Sequence, residues 1–171
     1  MPQHKPNHLL LLQRLLYEKT DDLHTISVAD ILNHWASHGI KLGRKSVYSA
    51  IDSLRDNGMD IICVKSTQNQ YFVGDRLFEL PELKLLVDAV QASKVVSART
   101  SSKLIHKLEA LCSDYEGTQL QRQVYVDGRP KSDSHTLLYS IDALHSAINA
   151  GRMVRFRYKD GGTRTVSPWQ L

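Results

Sequence analysis

Leu9, Leu12, Leu15 and Leu16 recur at helical spacing and predict a first helix from about Asn7 to Lys19, ended by the polar run Thr20-Asp21-Asp22. Ser27 followed three residues on by Asp30 has the form of a capping box, so a second helix should begin there. Its apolar stripe is Val28, Ile31, Leu32 and Trp35, and Gly39 closes it. After the short link Ile40–Gly43, a third helix is expected from about Arg44 to Asn57, with Val47, Ala50, Ile51 and Leu54 inward and Asn57-Gly58 as its stop. Ile61–Lys65 and Tyr71–Val73, on either side of a polar tip at Ser66–Gln70, read as a β-hairpin.

Helical spacing returns in the middle of the chain. Pro81 suits a first turn, with Leu83, Leu86, Val87 and Val90 behind it. A further helix from about Thr100 to Cys112 carries Leu104, Leu108 and Leu111, and residues 118–126 are expected to be extended. Ser132 or Asp133 should cap a long helix with Leu137, Ile141, Leu144 and Ile148 inward, stopped by Gly151. Val154, Phe156 and Tyr158 then alternate with Met153, Arg155 and Arg157, and an Asp160-Gly161-Gly162 turn leads to Thr163–Ser167, giving a second hairpin.

Composition places this pattern in a soluble globular protein: 42% hydrophobic and 23% charged residues. No window approaches the roughly 18 unbroken apolar residues of a membrane span, and the Leu9–Leu12 run lacks the features of a signal peptide. Cys63 and Cys112 have no metal-like spacing and fit a reducing cytoplasm. The net charge of +4 is unevenly placed. Residues 1–75 carry eight basic and eight acidic side chains, 76–117 six and six, and 118–171 eight and four. A nucleic-acid role for the first third therefore has to rest on local placement of charge.

Three helices followed by a hairpin can bury all three stripes as a trihelical unit with the hairpin at its side, which resembles a winged helix-turn-helix. In that arrangement the third helix enters the major groove of DNA. Its outer face offers Arg44, Lys45, Tyr48, Ser49 and Asp52, with Lys41 just ahead and Ser46 in the first turn, where backbone N–H groups can meet a phosphate. Arg44 or Lys45 suits the O6/N7 edge of guanine. The hairpin adds Lys65, Gln68, Asn69 and Gln70 for phosphate or minor-groove contacts. Because the first third is neutral, few phosphates would be neutralised, and a homodimer adding two modest half-sites about 34 Å apart is expected.

The stretch Gly39–Tyr48, with Ile51 and Leu54 following, resembles the recognition-helix region of WYL-domain transcription regulators with DeoR-like winged helices. Leu83–Val90, Lys103–Leu111 and Gln121–Val126 are further matches, as are Ile141–Tyr158 and Val166-Ser167-Pro168-Trp169. The resemblance implies an α+β, mostly α chain. It would comprise a winged helix-turn-helix over 1–75, a helical linker or dimerisation region over 76–130, and the first strands of a WYL (Sm-like) β-barrel over 131–171. It also implies response to a nucleotide or nucleic-acid ligand, with Arg155, Arg157, Tyr158 and Arg164 as the matching residues. The family's Trp-Tyr-Leu strand would follow Leu171. Either the chain is shortened, or its last strands pair with another chain and the C-terminal third dimerises.

Other constellations point to structure. His34 and His38 stand four apart on the second helix without a Cys or free carboxylate nearby in sequence, so they read as ordinary histidines and no metal is expected. His106, His135 and His145 read likewise. No nucleophile motif or phosphate loop accompanies the serines and histidines, so neither an enzyme nor a cofactor is expected. The expected partner is double-stranded DNA in the cytoplasm, with no membrane. Two alternatives stand beside it: an RNA or single-strand binding accessory using the basic C-terminal hairpin, and a winged-helix module that binds a protein partner.

Overall fold

The computed structural model describes residues 7–65, 67–122 and 137–169. The fold is α+β and mostly helical, and it divides into two compact units. One holds the chain up to Asp88 together with the segment from Ile105; the other holds Ala89–Leu104 and the C-terminal part.

In the first unit, α1 (His8–Lys19) is capped by Asn7, whose side chain accepts from the Leu9 N–H. It is followed by β1 (Ile26–Ser27), α2 (Val28–Ser37), α3 (Arg44–Asp56), β2 (Ile61–Val64) and β3 (Gln70–Val73). The three helices pack on one another because each presents one apolar stripe. Leu12 and Leu16 meet Ile31 and Trp35 of α2 and Val47, Ala50, Ile51 and Leu54 of α3, with Met59, Ile61, Tyr71 and Val73 closing the core. Burying a side chain of this size stabilises by about 1.5–3 kcal/mol, so these stripes dominate the unit. Gly39 and Gly58 end α2 and α3 at φ 77° and 89°, where a side chain would be strained.

The expected hairpin is part of a three-stranded antiparallel sheet in the order β1-β3-β2. Ile26 pairs with Tyr71 and Ser27 with Gln70, while Cys63 and Val64 oppose Tyr71 and Gln70 from the other side. Ser27 is at once a strand residue and the cap of α2. Its Oγ accepts from the Asp30 N–H at 3.2 Å, and Asp30 Oδ2 accepts from the Ser27 N–H at 2.8 Å. Hydrogen bonds from the Ser27 hydroxyl and then its N–H hold the Asp30 carboxyl below the usual range.

α4 (Leu80–Ala92) begins in the first unit and buries Leu83 and Val87. α5 (Ala98–Glu109) starts two residues earlier than its apolar spacing predicts, because Ser97 Oγ accepts from the Thr100 N–H. Ile105 and Cys112 are buried there, while Leu104, Leu108 and Leu111 are only half-buried. The expectation of an extended chain over 118–126 is corrected: 118–122 belong to α6 (Asp114–Arg122), and 123–126 lie outside the described residues. The physical reason is a second capping box, in which Ser113 Oγ accepts from the Glu116 N–H at 3.1 Å and Glu116 accepts from the Ser113 N–H at 3.2 Å. Leu120 then fixes α6 by complete burial.

Polar contacts tie α6 and the segment after β3 to α1. Arg76 donates to the carbonyls of Tyr17 and Thr20 at 2.9 and 2.6 Å, satisfying the end of α1. Thr20 Oγ1 accepts from the Val73 N–H and donates to the Leu16 carbonyl. Lys19 pairs with Asp114, and the His24 ring stacks on Tyr115 at 3.7 Å.

In the second unit, α7 (Leu137–Asn149) precedes a hairpin of β4 (Val154–Arg157) and β5 (Thr163–Val166). The expected cap at Ser132 or Asp133 lies outside the described residues. Leu137, Ile141, Leu144 and Ile148 are half-buried, so the stripe has the expected orientation. The register pairs Val154 with Val166 and Phe156 with Arg164 on one face, and Arg155 with Thr165 and Arg157 with Thr163 on the other.

Candidate nucleic-acid interface

α3 positions the candidate residues by simple periodicity. Val47, Ala50, Ile51 and Leu54 anchor one side in the core, which turns Arg44, Lys45, Tyr48, Ser49 and Asp52 to solvent. The helix starts on Gly43, which has no side chain to cap it. Arg44 and Lys45 therefore stand exposed at an N-terminus that already carries partial positive charge.

A groove of about 400 Å³ lies between the start of α2, the outer face of α3 and the β2–β3 loop. It is lined by Val28 and Ala29, by Arg44 and Tyr48, and by Thr67, Gln68 and Asn69. Two residues expected on the reading helix and two expected on the loop tip thus share one concave surface, although at least twenty positions separate them in sequence. Val28 escaped the sequence analysis as a groove residue because it was assigned to the apolar stripe of α2, and Ala29 because it carries no polar group. No local signal marks Ala29 as a groove wall.

The remaining candidates sit around this groove. Lys41 and Lys45 are exposed in the turn before α3 and in its first turn. Ser46 is half-buried and its N–H donates to the Gly43 carbonyl at 3.0 Å, so that amide is already occupied. The Ser49 carbonyl accepts from Ser53 Oγ. Lys65 is exposed at the end of β2, and Ser66 of the expected polar tip lies outside the described residues. Gln70 turns away from the tip: its Oε1 accepts from Thr25 Oγ1 at 3.3 Å.

Behind the loop stands Tyr71, buried between Ile26 and Cys63 in the sheet. Burial pushes its phenol up from the ordinary value, and Asn69 beside it pulls in the opposite direction. Arg55 was not foreseen as a supporting residue. Its Nε and Nη2 donate to the Ile61 carbonyl at 3.0 and 2.6 Å, clamping the end of α3 to the first residue of β2.

Arg155, Arg157, Tyr158 and Arg164 are all exposed on the second unit's hairpin. The Arg164 guanidinium lies 4.4 Å over the Tyr158 ring and pairs with Asp160 at 2.9 Å. Arg155 also lines an apolar cavity of about 490 Å³ with Ala143, Leu144, Val154, Phe156 and Val166.

His34 and His38 stand ring to ring at 4.5 Å. Burial, and then the neighbouring His38, lower the His34 pKa. Among the described residues no three His, Cys, Asp or Glu side chains come together as a metal-binding group. No helix among them is long and apolar enough to cross a membrane. No protein-family model matches the chain, and no curated protein is significantly similar to it.

Proposed function

We propose that this chain is a cytoplasmic, sequence-specific transcription regulator of the WYL type, which binds operator DNA as a homodimer through a winged helix-turn-helix made of α1–α3 and the β1-β3-β2 sheet. The single observation that carries the reading is the groove in which Arg44 and Tyr48 of α3 face Gln68 and Asn69 of the loop. A helix with a cationic start beside a loop of amides suits a duplex: the helix meets base edges, and the loop meets the adjacent backbone. The C-terminal unit would begin the WYL barrel and make binding responsive to a nucleotide or nucleic-acid ligand.

The test is selection from a random duplex library with the full chain, with sizing of the complex and a salt titration. Enrichment of a palindromic site bound by two copies supports the regulator reading. Weak, sequence-blind binding with a steep salt slope overturns it, since phosphates alone would then carry the affinity.

One observation favours a second reading, an RNA or single-strand binding accessory. Arg155 and Arg157 share a strand face with Thr163 and Thr165, and on the opposite face Arg164 covers Tyr158. Cationic groups beside an aromatic ring suit an unpaired base and its phosphate. Replacing Arg155 and Arg157 by Ala would then abolish binding, whereas Arg44→Ala with Lys45→Ala would leave it intact.

A further inference from the structure

An acidic side chain stands near the centre of a surface proposed to meet a polyanion. On a helix of 3.6 residues per turn, Arg44 and Ser49 bound the solvent-facing arc of α3, and Asp52 falls close to its middle, between Tyr48 and Lys45. Its side chain is 71% exposed. The neighbour that would neutralise it is engaged elsewhere: Arg55 spends Nε and Nη2 on the Ile61 carbonyl and leaves Nη1 3.8 Å from Asp52 Oδ1. That is beyond hydrogen-bonding distance, and an exposed pair of this kind contributes little.

A carboxylate so placed is repelled by phosphates and by every acceptor on the groove floor. Its favourable partner on a base edge is an amino group that donates to it. The major groove presents two such groups, cytosine N4 and adenine N6. Adenine N6 is flanked by its own N7 and by thymine O4, both acceptors that oppose a carboxylate. Cytosine N4 has an acceptor on one side only, guanine O6, and a C5–H on the other.

We infer that Asp52 is a specificity-determining residue that accepts a hydrogen bond from cytosine N4, so that each operator half-site carries a cytosine opposite the third turn of α3. This inference rests on the duplex-binding reading above and narrows it to one base at one helix position. The acidic group also acts by exclusion, because a thymine or guanine there presents no donor to it.

The experiment compares the motifs selected from a random duplex library by the wild-type full chain, Asp52→Ala, Asp52→Asn and Arg44→Ala, with a thermal melt of each to confirm folding. Wild type should select a motif with cytosine at one position per half-site. Asp52→Ala should flatten that position, with a loss of about 10- to 150-fold in preference, the worth of one hydrogen bond to a charged group, and leave the others unchanged. Asp52→Asn should move the preference to adenine, whose N6 and N7 an amide meets together; a residue that merely buttressed Arg55 would give no such switch. A wild-type motif returned unchanged by both Asp52 variants overturns the inference and leaves the regulator reading standing. If wild type selects no motif and Arg44→Ala changes nothing, both fall together.

Discussion

Ser113 Oγ donates to Asp21 Oδ2 at 2.5 Å, joining the turn after α1 to the cap of α6 across 92 positions of sequence. Asp21 is 5% exposed and also accepts from the backbone N–H groups of Leu23 and His24 and from His24 Nδ1. Burial works to raise its pKa, but the hydrogen bonds from Ser113, His24 and the two backbone amides outweigh it and leave the carboxyl below its ordinary value.

Asp21 therefore makes stability depend on acid. Because its folded pKa lies below the unfolded value, the ionised group stabilises the fold at neutral pH, and that contribution disappears as pH falls through the folded pKa. Asp21→Asn should cost about 1–3 kcal/mol at pH 7 by urea unfolding. The gap between variant and wild type should close as the pH is lowered from about 5 toward 2. A gap that stays constant over that range would mean that the carboxylate charge is not what Ser113 and His24 hold.

Ser27→Ala should destabilise the first unit by about 0.5–2 kcal/mol, the usual worth of an N-cap. The loss should be accompanied by faster amide exchange at the start of α2, where the Asp30 N–H loses its acceptor. Unchanged exchange there would count against the capping box.

Leu120→Ala tests the helix that replaced an expected extended segment. Leu120 is completely buried, so truncation should cost about 2–5 kcal/mol in urea unfolding. A cost below about 0.5 kcal/mol, the range of ordinary surface substitutions, would return the segment to the surface.

Lys45 stands exposed in the first turn of α3, at the positive end of the helix, and should act as a phosphate contact. Lys45→Ala should weaken every duplex alike and reduce the salt slope by about one for each reading helix. Arg44→Ala should in addition relax the preference at one base position, since Arg44 lines the groove. Equal effects of the two variants on selectivity would show that the groove does not separate their roles.

The sequence was most legible where capping and stripe agree. Ser27 with Asp30, and Val47, Ala50, Ile51 and Leu54 before Asn57-Gly58, mark α2 and α3 almost to the residue. β1 stayed hidden because two residues have no period, and because Ser27 announces a helix cap more strongly than a strand. α6 was missed because Gly117 and Thr118 are poor helix formers and its one fully buried apolar side chain, Leu120, makes no stripe. Candidate-site residues on α3 followed from the buried side of the same helix. The groove did not, since Ala29 and Asn69 meet only through tertiary packing, and the turning away of Gln70 depends on Thr25, 45 positions earlier.

The pairing of Ser27 with Gln70 has a mechanical consequence. Leaving that rung in one direction the chain becomes Val28 and Ala29; leaving it in the other, it becomes Asn69 and Gln68. Both outer walls of the groove hang from a single rung, and α3 is the third wall. The two walls are thus joined by the short β1–β3 ladder, Ile26 with Tyr71 and Ser27 with Gln70, at the residue that also caps α2. Whatever enters meets two walls spaced by that ladder and not by two independent loops.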